Sequence, residues 1–188
     1  YTAPAAFYLT GAPQGTRLLI EHVGIEFLNA RFGHKNFTFI RMKGGTREGH
    51  GSRWQTLTEH FNRKEIINVA DTMAVIDLEN LMRQYAAFLF CAVGDAFQGG
   101  IVKDDSSWSN GTNNRWFFVN WDMEDSFGKP LPNYFKTLGY GPPAPPVLRP
   151  LLWHKLSNDP AFQRRFSILM NNILDNALTN NWIDKTIT

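Results

Sequence analysis

The sequence predicts an α+β domain from three observations. Short β-prone runs crowd the first 43 residues, a long amphipathic helix pattern occupies residues 77–92, and a helical tail opens around Asp159-Pro160. Strands come first and helices later, enclosing one apolar hairpin-like insertion, so the elements do not alternate as a parallel α/β sheet requires. With 188 residues, 43% of them hydrophobic and 15 Phe and 6 Trp among them, the chain has enough apolar material for one sizeable core.

The elements follow in order. Residues 6–10 (AFYLT) are a β-prone run ended by Gly11-Ala12-Pro13-Gln14-Gly15, a turn by composition, and residues 16–23 (TRLLIEHV) supply the second strand of a hairpin. Residues 26–32 (EFLNARF) set Phe27, Leu28, Arg31 and Phe32 at helical spacing and stop at Gly33, a residue suited to the left-handed position that ends a helix. Residues 37–42 alternate and read as a strand. Residues 44–52 (GGTREGHGS) read as a solvated loop, because they lack the Lys-Ser/Thr ending of a phosphate cradle. Residues 56–61 are a short helix candidate.

The strongest helix spans residues 77–92, with Asp77 as N-cap and Glu79 in the first turn. Its stripe of Leu78, Leu81, Met82, Tyr85, Phe88, Leu89 and Ala92 keeps three-four spacing, and its later turns are apolar all round, which predicts a central, buried helix. After a break at Gly94, residues 104–114 read as a polar loop. Residues 115–120 (RWFFVN) read as a strand with Trp116 and Phe118 on one face, Phe117 and Val119 on the other. Residues 141–146 (GPPAPP) form an extended connector. Residues 151–156 are helical, and a last helix opens at Asp159 with Pro160 in its first turn, running through Phe162, Phe166, Leu169, Met170, Ile173 and Leu174.

Several function classes are excluded. The net charge is +2 and no Lys/Arg run exceeds two residues, so the footprint of a nucleic-acid binder is absent. The longest apolar run, residues 86–93, is far short of the ~18 residues of a membrane span. The single Cys91 rules out an internal disulfide framework and reads as a small core hydrophobe. Two glycosylation sequons begin at Asn36 and Asn110. The chain opens Tyr1-Thr2-Ala3-Pro4 with neither an initiator Met nor a signal peptide, as expected of a processed or excerpted piece.

The five histidines include no close ligand pairing, and neither a nucleophile elbow nor a signature around Cys91 is present. The remaining chemistry is acidic. Asp95 lies just past the apolar helix in Gly94-Asp95-Ala96-Phe97-Gln98-Gly99-Gly100, and Asp122 just past the apolar strand, beside Glu124 and Asp125. A carboxylate leaving an aromatic core is costly unless paired or metal-bound, though Asp also caps turns routinely.

Five segments resemble, in order, those of the CotH family of spore-coat-type atypical protein kinases: residues 11–23, residues 26–33, Asp77 through Tyr85, residues 116–128 (WFFVNWDMEDSFG) and residues 156–166 (LSNDPAFQRRF). The resemblance covers nearly the whole chain. It implies a kinase-like fold that binds ATP with Mg²⁺ or Mn²⁺ and transfers the γ-phosphoryl group to Ser or Thr of a protein substrate. By role it implies Asp122 as metal ligand and Asp95 as the catalytic-loop Asp that accepts the substrate hydroxyl proton or helps to hold metal. Glu21, with His22 and Val23, falls in the lobe-connecting segment near the adenine. Residues 1–43 would then close the N-terminal lobe and carry the lobe connection, and residues 44–188 would form the mainly helical C-terminal lobe.

The chain departs from the family pattern in three places. The catalytic-loop Asn that supplies a second metal ligand in kinases corresponds to Gly100. The second Asp of the family's WDxD is Glu124, so Gln98 and Glu124 become the candidate supplementary ligands. The strands bearing the phosphate-covering loop and ATP-binding Lys are expected in a missing N-terminal segment or a partner chain; Lys43 follows Glu21 and cannot take that role. The family context implies a secreted or cell-surface location, and a catalytically inactive surface, structural or adhesion module is the alternative to a kinase.

Overall fold

The first two β-prone runs pair with each other. In this computed structural model, which describes residues 2–10, 12–20, 22–33, 36–41, 47–48, 57, 59–61, 67–91, 99–105, 115–120 and 148–177, they form an antiparallel hairpin. Strands β1 (Thr2–Leu9) and β2 (Ala12–Ile20) run in register from Thr2↔Ile20 to Leu9↔Ala12. Only two residues separate the paired ends, so the turn is tighter than the five-residue stretch expected from composition, and Thr10 takes a φ of 50° within it. A bulge between Ala6 and Tyr8 absorbs the extra length on β2.

Helix α1 (Ile25–Phe32) ends as the sequence requires: Gly33, at φ 75°, donates its N–H to the Asn29 carbonyl at 3.0 Å. The chain then enters a four-stranded antiparallel sheet of order β4-β3-β5-β6, made of β3 (Phe37–Arg41), β4 (Arg47–Glu48), β5 (Gly100–Asp104) and β6 (Trp116–Val119). Two strands correct the sequence reading. β4 lies within the stretch expected as a solvated loop, and β5 occupies positions given no strand at all. β5 has only Ile101 and Val102 between Gly99-Gly100 and Lys103-Asp104 as a β-prone signal, and it is paired on both sides, with β3 and β6.

The sheet is apolar on both faces, with period-2 alternation dividing its residues between two clusters. Phe37, Phe39, Val102 and Phe117 pack with Leu28 of α1, joined at the margin by Phe27, Phe32 and Val119. Ile40, Ile101, Trp116 and Phe118 face the larger core. The expected alternation along β6 is therefore observed. The larger core is completed by α3 (Leu78–Cys91), α4 (Leu148–Leu156) and α5 (Pro160–Asn172), preceded by the short α2 (Val69–Met73), which the sequence did not signal. A π-helical turn (Ile173–Ala177) follows α5. Leu57 and Phe61, in the region of the short helix candidate, are helical and buried in the same core.

α3 supplies Leu78, Leu81, Met82, Tyr85 and Phe88 to that core, as the stripe predicts, and Ala86 besides, with Leu89 at its margin. Its last turn is not apolar-buried all round, since Phe90 is 47% exposed. Tyr85 meets Trp153 edge-on at 4.8 Å, and Trp153 meets Phe166 at 5.5 Å, so aromatic contacts join α3 to α4 and α5. Asp159 caps α5 by accepting from the Ala161 N–H at 2.7 Å, while its other oxygen accepts the Val69 N–H at 2.9 Å and ties α2 to the tail. The proline-rich residues 141–146 and most of the two polar loops lie outside the described residues.

β6 is an edge strand, yet its outer edge is not open. The Trp116 N–H donates to the Val75 carbonyl at 2.9 Å, and the Asp77 N–H donates to the Trp116 carbonyl at 2.8 Å. Two residues on, the Asn80 side chain takes over: its Oδ1 accepts the Phe118 N–H at 2.7 Å and its Nδ2 donates to the Phe118 carbonyl at 3.1 Å. The start of α3 thus imitates a neighbouring strand and closes the sheet on that side.

Candidate functional site

One end of the four-stranded sheet gathers the described residues closest in the chain to the candidate acids. Arg41, Gly100 and Val119 stand in one row across β3, β5 and β6. Gly99, at φ 135°, leads into β5 from the side of Gln98 and Asp95, and Asn120 leaves β6 toward Asp122. The side-chain oxygen of Asn120 is buried there without a hydrogen-bond partner. Asp95, Gln98, Asp122, Glu124 and Glu21 themselves lie outside the described residues.

His22 and Val23 are described. Val23 is half-buried against the smaller apolar cluster. His22 is exposed, and its Nε2 meets an Arg41 guanidinium nitrogen at 3.1 Å. Arginine offers only donors, so the Nε2 of His22 is the acceptor in this contact. A Cβ on Gly24 would lie 3.5 Å from both Glu26 Oε2 and the His22 ring, so the Glu26 carboxylate is near this pair. The sequence pointed to His22 but not to Arg41, whose position opposite Gly100 follows only from strand register.

Gly100 is not a loop residue standing in for a ligand; it is the first residue of β5, fully buried. A Cβ there would lie 2.5 Å from Phe39 Cε2, 2.9 Å from Cζ and 3.2 Å from the Ile40 carbonyl oxygen. Phe39 is 1% exposed and held in the smaller cluster, so its ring has no free space to move into. An aromatic ring laid across a strand glycine is a known device for fixing register, and here it takes the space of any side chain at position 100. The residues present therefore do not fit a metal ligand at this position. Among the described residues no three His, Cys, Asp or Glu converge as a metal group.

The opposite end of the sheet carries a second polar cluster. Thr38 donates its hydroxyl to Asp105, whose N–H donates to the Asn36 carbonyl at 2.8 Å, and Asp104 is buried beside them. This cluster closes the Phe37↔Asp104 end of the sheet, the length of a strand away from Gly100. It also locks Thr38, the hydroxyl residue of the first sequon, inside the fold.

Among the described residues no helix is long and apolar enough to cross a membrane. No curated protein and no solved structure matches the chain. The family model described as CotH kinase protein matches residues 1–188, and with the whole chain covered the protein belongs to the CotH family.

Proposed function

We propose that this chain carries the phosphoryl-transfer site of a CotH-type protein Ser/Thr kinase. The observation that supports this best is the pairing Gly100↔Val119. The segment with Asp95 and Gln98 enters β5, and the segment with Asp122 and Glu124 leaves β6, at one end of the same strand pair. Chain connectivity tethers the Asp122 Cα within about 7 Å of the Asn120 Cα, and the Asp95 Cα within about 14 Å of the Gly99 Cα. A catalytic-loop Asp followed later in the chain by a metal-binding Asp is the order of the kinase motifs.

In this reading Asp95 accepts the proton of the substrate hydroxyl as that oxygen bonds to the γ-phosphorus and the bond to the ADP oxygen breaks. Asp122 holds a divalent cation with Gln98 or Glu124. The cation, Mg²⁺ or Mn²⁺, supplies neutralisation of phosphate charge when bound. Glu21, His22 and Val23 form the lobe connection beside the adenine. We draw that connection ahead of β3, because β3 pairs along its whole length with β5. The N-terminal lobe would then end before residue 37, with β3 and the residues after it in the C-terminal lobe, instead of dividing between residues 43 and 44. A secreted or cell-surface location, in keeping with a spore-coat family, belongs to the same proposal.

The second reading, an inactive surface or adhesion module, is favoured by one observation: position 100 has no room for a ligand. Transfer of labelled phosphate from ATP to protein Ser/Thr by the intact protein separates the two. Asp122→Asn is expected to lower transfer by orders of magnitude with little change in folding, and Asp95→Asn to lower turnover with less effect on metal affinity. If the intact protein transfers no phosphate and Asp122→Asn alters neither metal nor nucleotide binding, the surface-module reading stands.

A further inference from the structure

The family pattern asks for a second metal ligand at position 100, and the structure disagrees with it. The absent side chain at Gly100 is only half of the observation. A glycine in a loop could be replaced by Asn with no other change, but this glycine lies in a strand between β3 and β6, under the ring of Phe39. The two nearest ring atoms lie 2.5 and 2.9 Å from where a Cβ would stand, closer than real Cβ contacts allow. The third nearest atom, the Ile40 carbonyl oxygen at 3.2 Å, is backbone and belongs to the strand that fixes the register. Phe39 cannot swing aside, because it is buried among Leu28, Phe37, Val102 and Phe117. Phe39 and Gly100 are thus a matched pair, each permitting the other.

We infer that Phe39 fills the space of the second metal-ligating side chain, so that position 100 supplies no ligand and the site takes one divalent cation per nucleotide. This rests on the proposed kinase reading for the nucleotide, whereas the pairing of Phe39 with Gly100 rests on packing alone. A one-cation site leaves more of the phosphate charge to be met by protein cations, and Arg41, in the row with Gly100, is the nearest cation that the sheet register supplies.

The experiment has two readouts in the intact protein. The first is thermal melting of Gly100→Asn, Phe39→Ala and the double variant. Gly100→Asn is expected to lower Tm by roughly 5 °C or more through overpacking, and by clearly less once Phe39 is Ala. Equal losses in both backgrounds overturn the matched pair. The second is titration with Mn²⁺ in saturating non-hydrolysable ATP analogue, with free Mn²⁺ read by electron paramagnetic resonance. One Mn²⁺ per bound nucleotide supports the inference, and two overturn it. If neither nucleotide nor Mn²⁺ binds while the melting data still couple Phe39 to Gly100, the kinase reading fails and the one-cation inference falls with it, while the packing result stands.

Discussion

Removing the Asn80 amide should loosen the strand that leads to Asp122 without touching any residue proposed to do chemistry. Asn80 makes two hydrogen bonds to the backbone of Phe118, at 2.7 and 3.1 Å, both partly buried. Asn80→Ala leaves one N–H and one C=O on β6 without partners. An orphaned buried polar group costs about 1–3 kcal/mol, and the half-buried setting puts each at the low end, so the pair sums to about 2–3 kcal/mol. Alanine is the better helix former at this position by roughly 0.5 kcal/mol, which leaves a net loss near 2 kcal/mol. For a chain of this size that lowers Tm by about 4–8 °C. Asn80→Asp is close in size but sets an oxygen against the Phe118 carbonyl, so it should be no better than Ala. Thermal melting gives the magnitude, and hydrogen exchange at the Phe118 amide gives the location. A Tm within about 1 °C of the parent, with Phe118 exchange unchanged, would refute the clamp.

Two further predictions concern packing and capping. Phe88→Ala should cost about 2–5 kcal/mol in urea unfolding, because Phe88 is 1% exposed in the larger core, whereas Leu89→Ala should cost below about 2 kcal/mol because Leu89 packs only at its margin. Asp159→Ala should cost about 2 kcal/mol, one part from the α5 cap and one from the Val69 N–H left unpaired; Asp159→Ser should recover the cap part only, and full recovery would show that the Val69 bond contributes nothing.

The longer helices were legible because their signals are local, whereas the five-residue α2 was not. Asp77 and Asp159 accept from the first-turn N–H groups as their positions imply, and Gly33 adopts the left-handed conformation that ends α1. The alternation of Trp116, Phe117, Phe118 and Val119 divided between two cores because β6 is covered on both faces. β5 was not legible, since its β-formers are only Ile101 and Val102, set between Gly99-Gly100 and Lys103-Asp104, too brief a run to show alternation. β4 is two residues long and follows β3 through register, which no composition encodes.

The candidate site divides along the same line. The proposed acids, Asp95 and Asp122, stand out in the sequence because Asp is conspicuous where an apolar helix or strand ends, and the CotH resemblance gave them their proposed roles. The packing at the strand ends beside them does not stand out, because it is contributed by residues of unremarkable type at long separation. Phe39 looks like any strand aromatic until β3 is laid beside β5, and only then does its ring cover Gly100. Asn80 looks like a neutral residue in a helix first turn until β6 arrives 38 residues later and presents the Phe118 backbone to it. A sequence motif names the donors a site would use, but the neighbours across the sheet decide which donor positions have room. At position 100 they decide against one. The family match places the chain among CotH proteins, while Phe39 decides whether position 100 has room for a ligand.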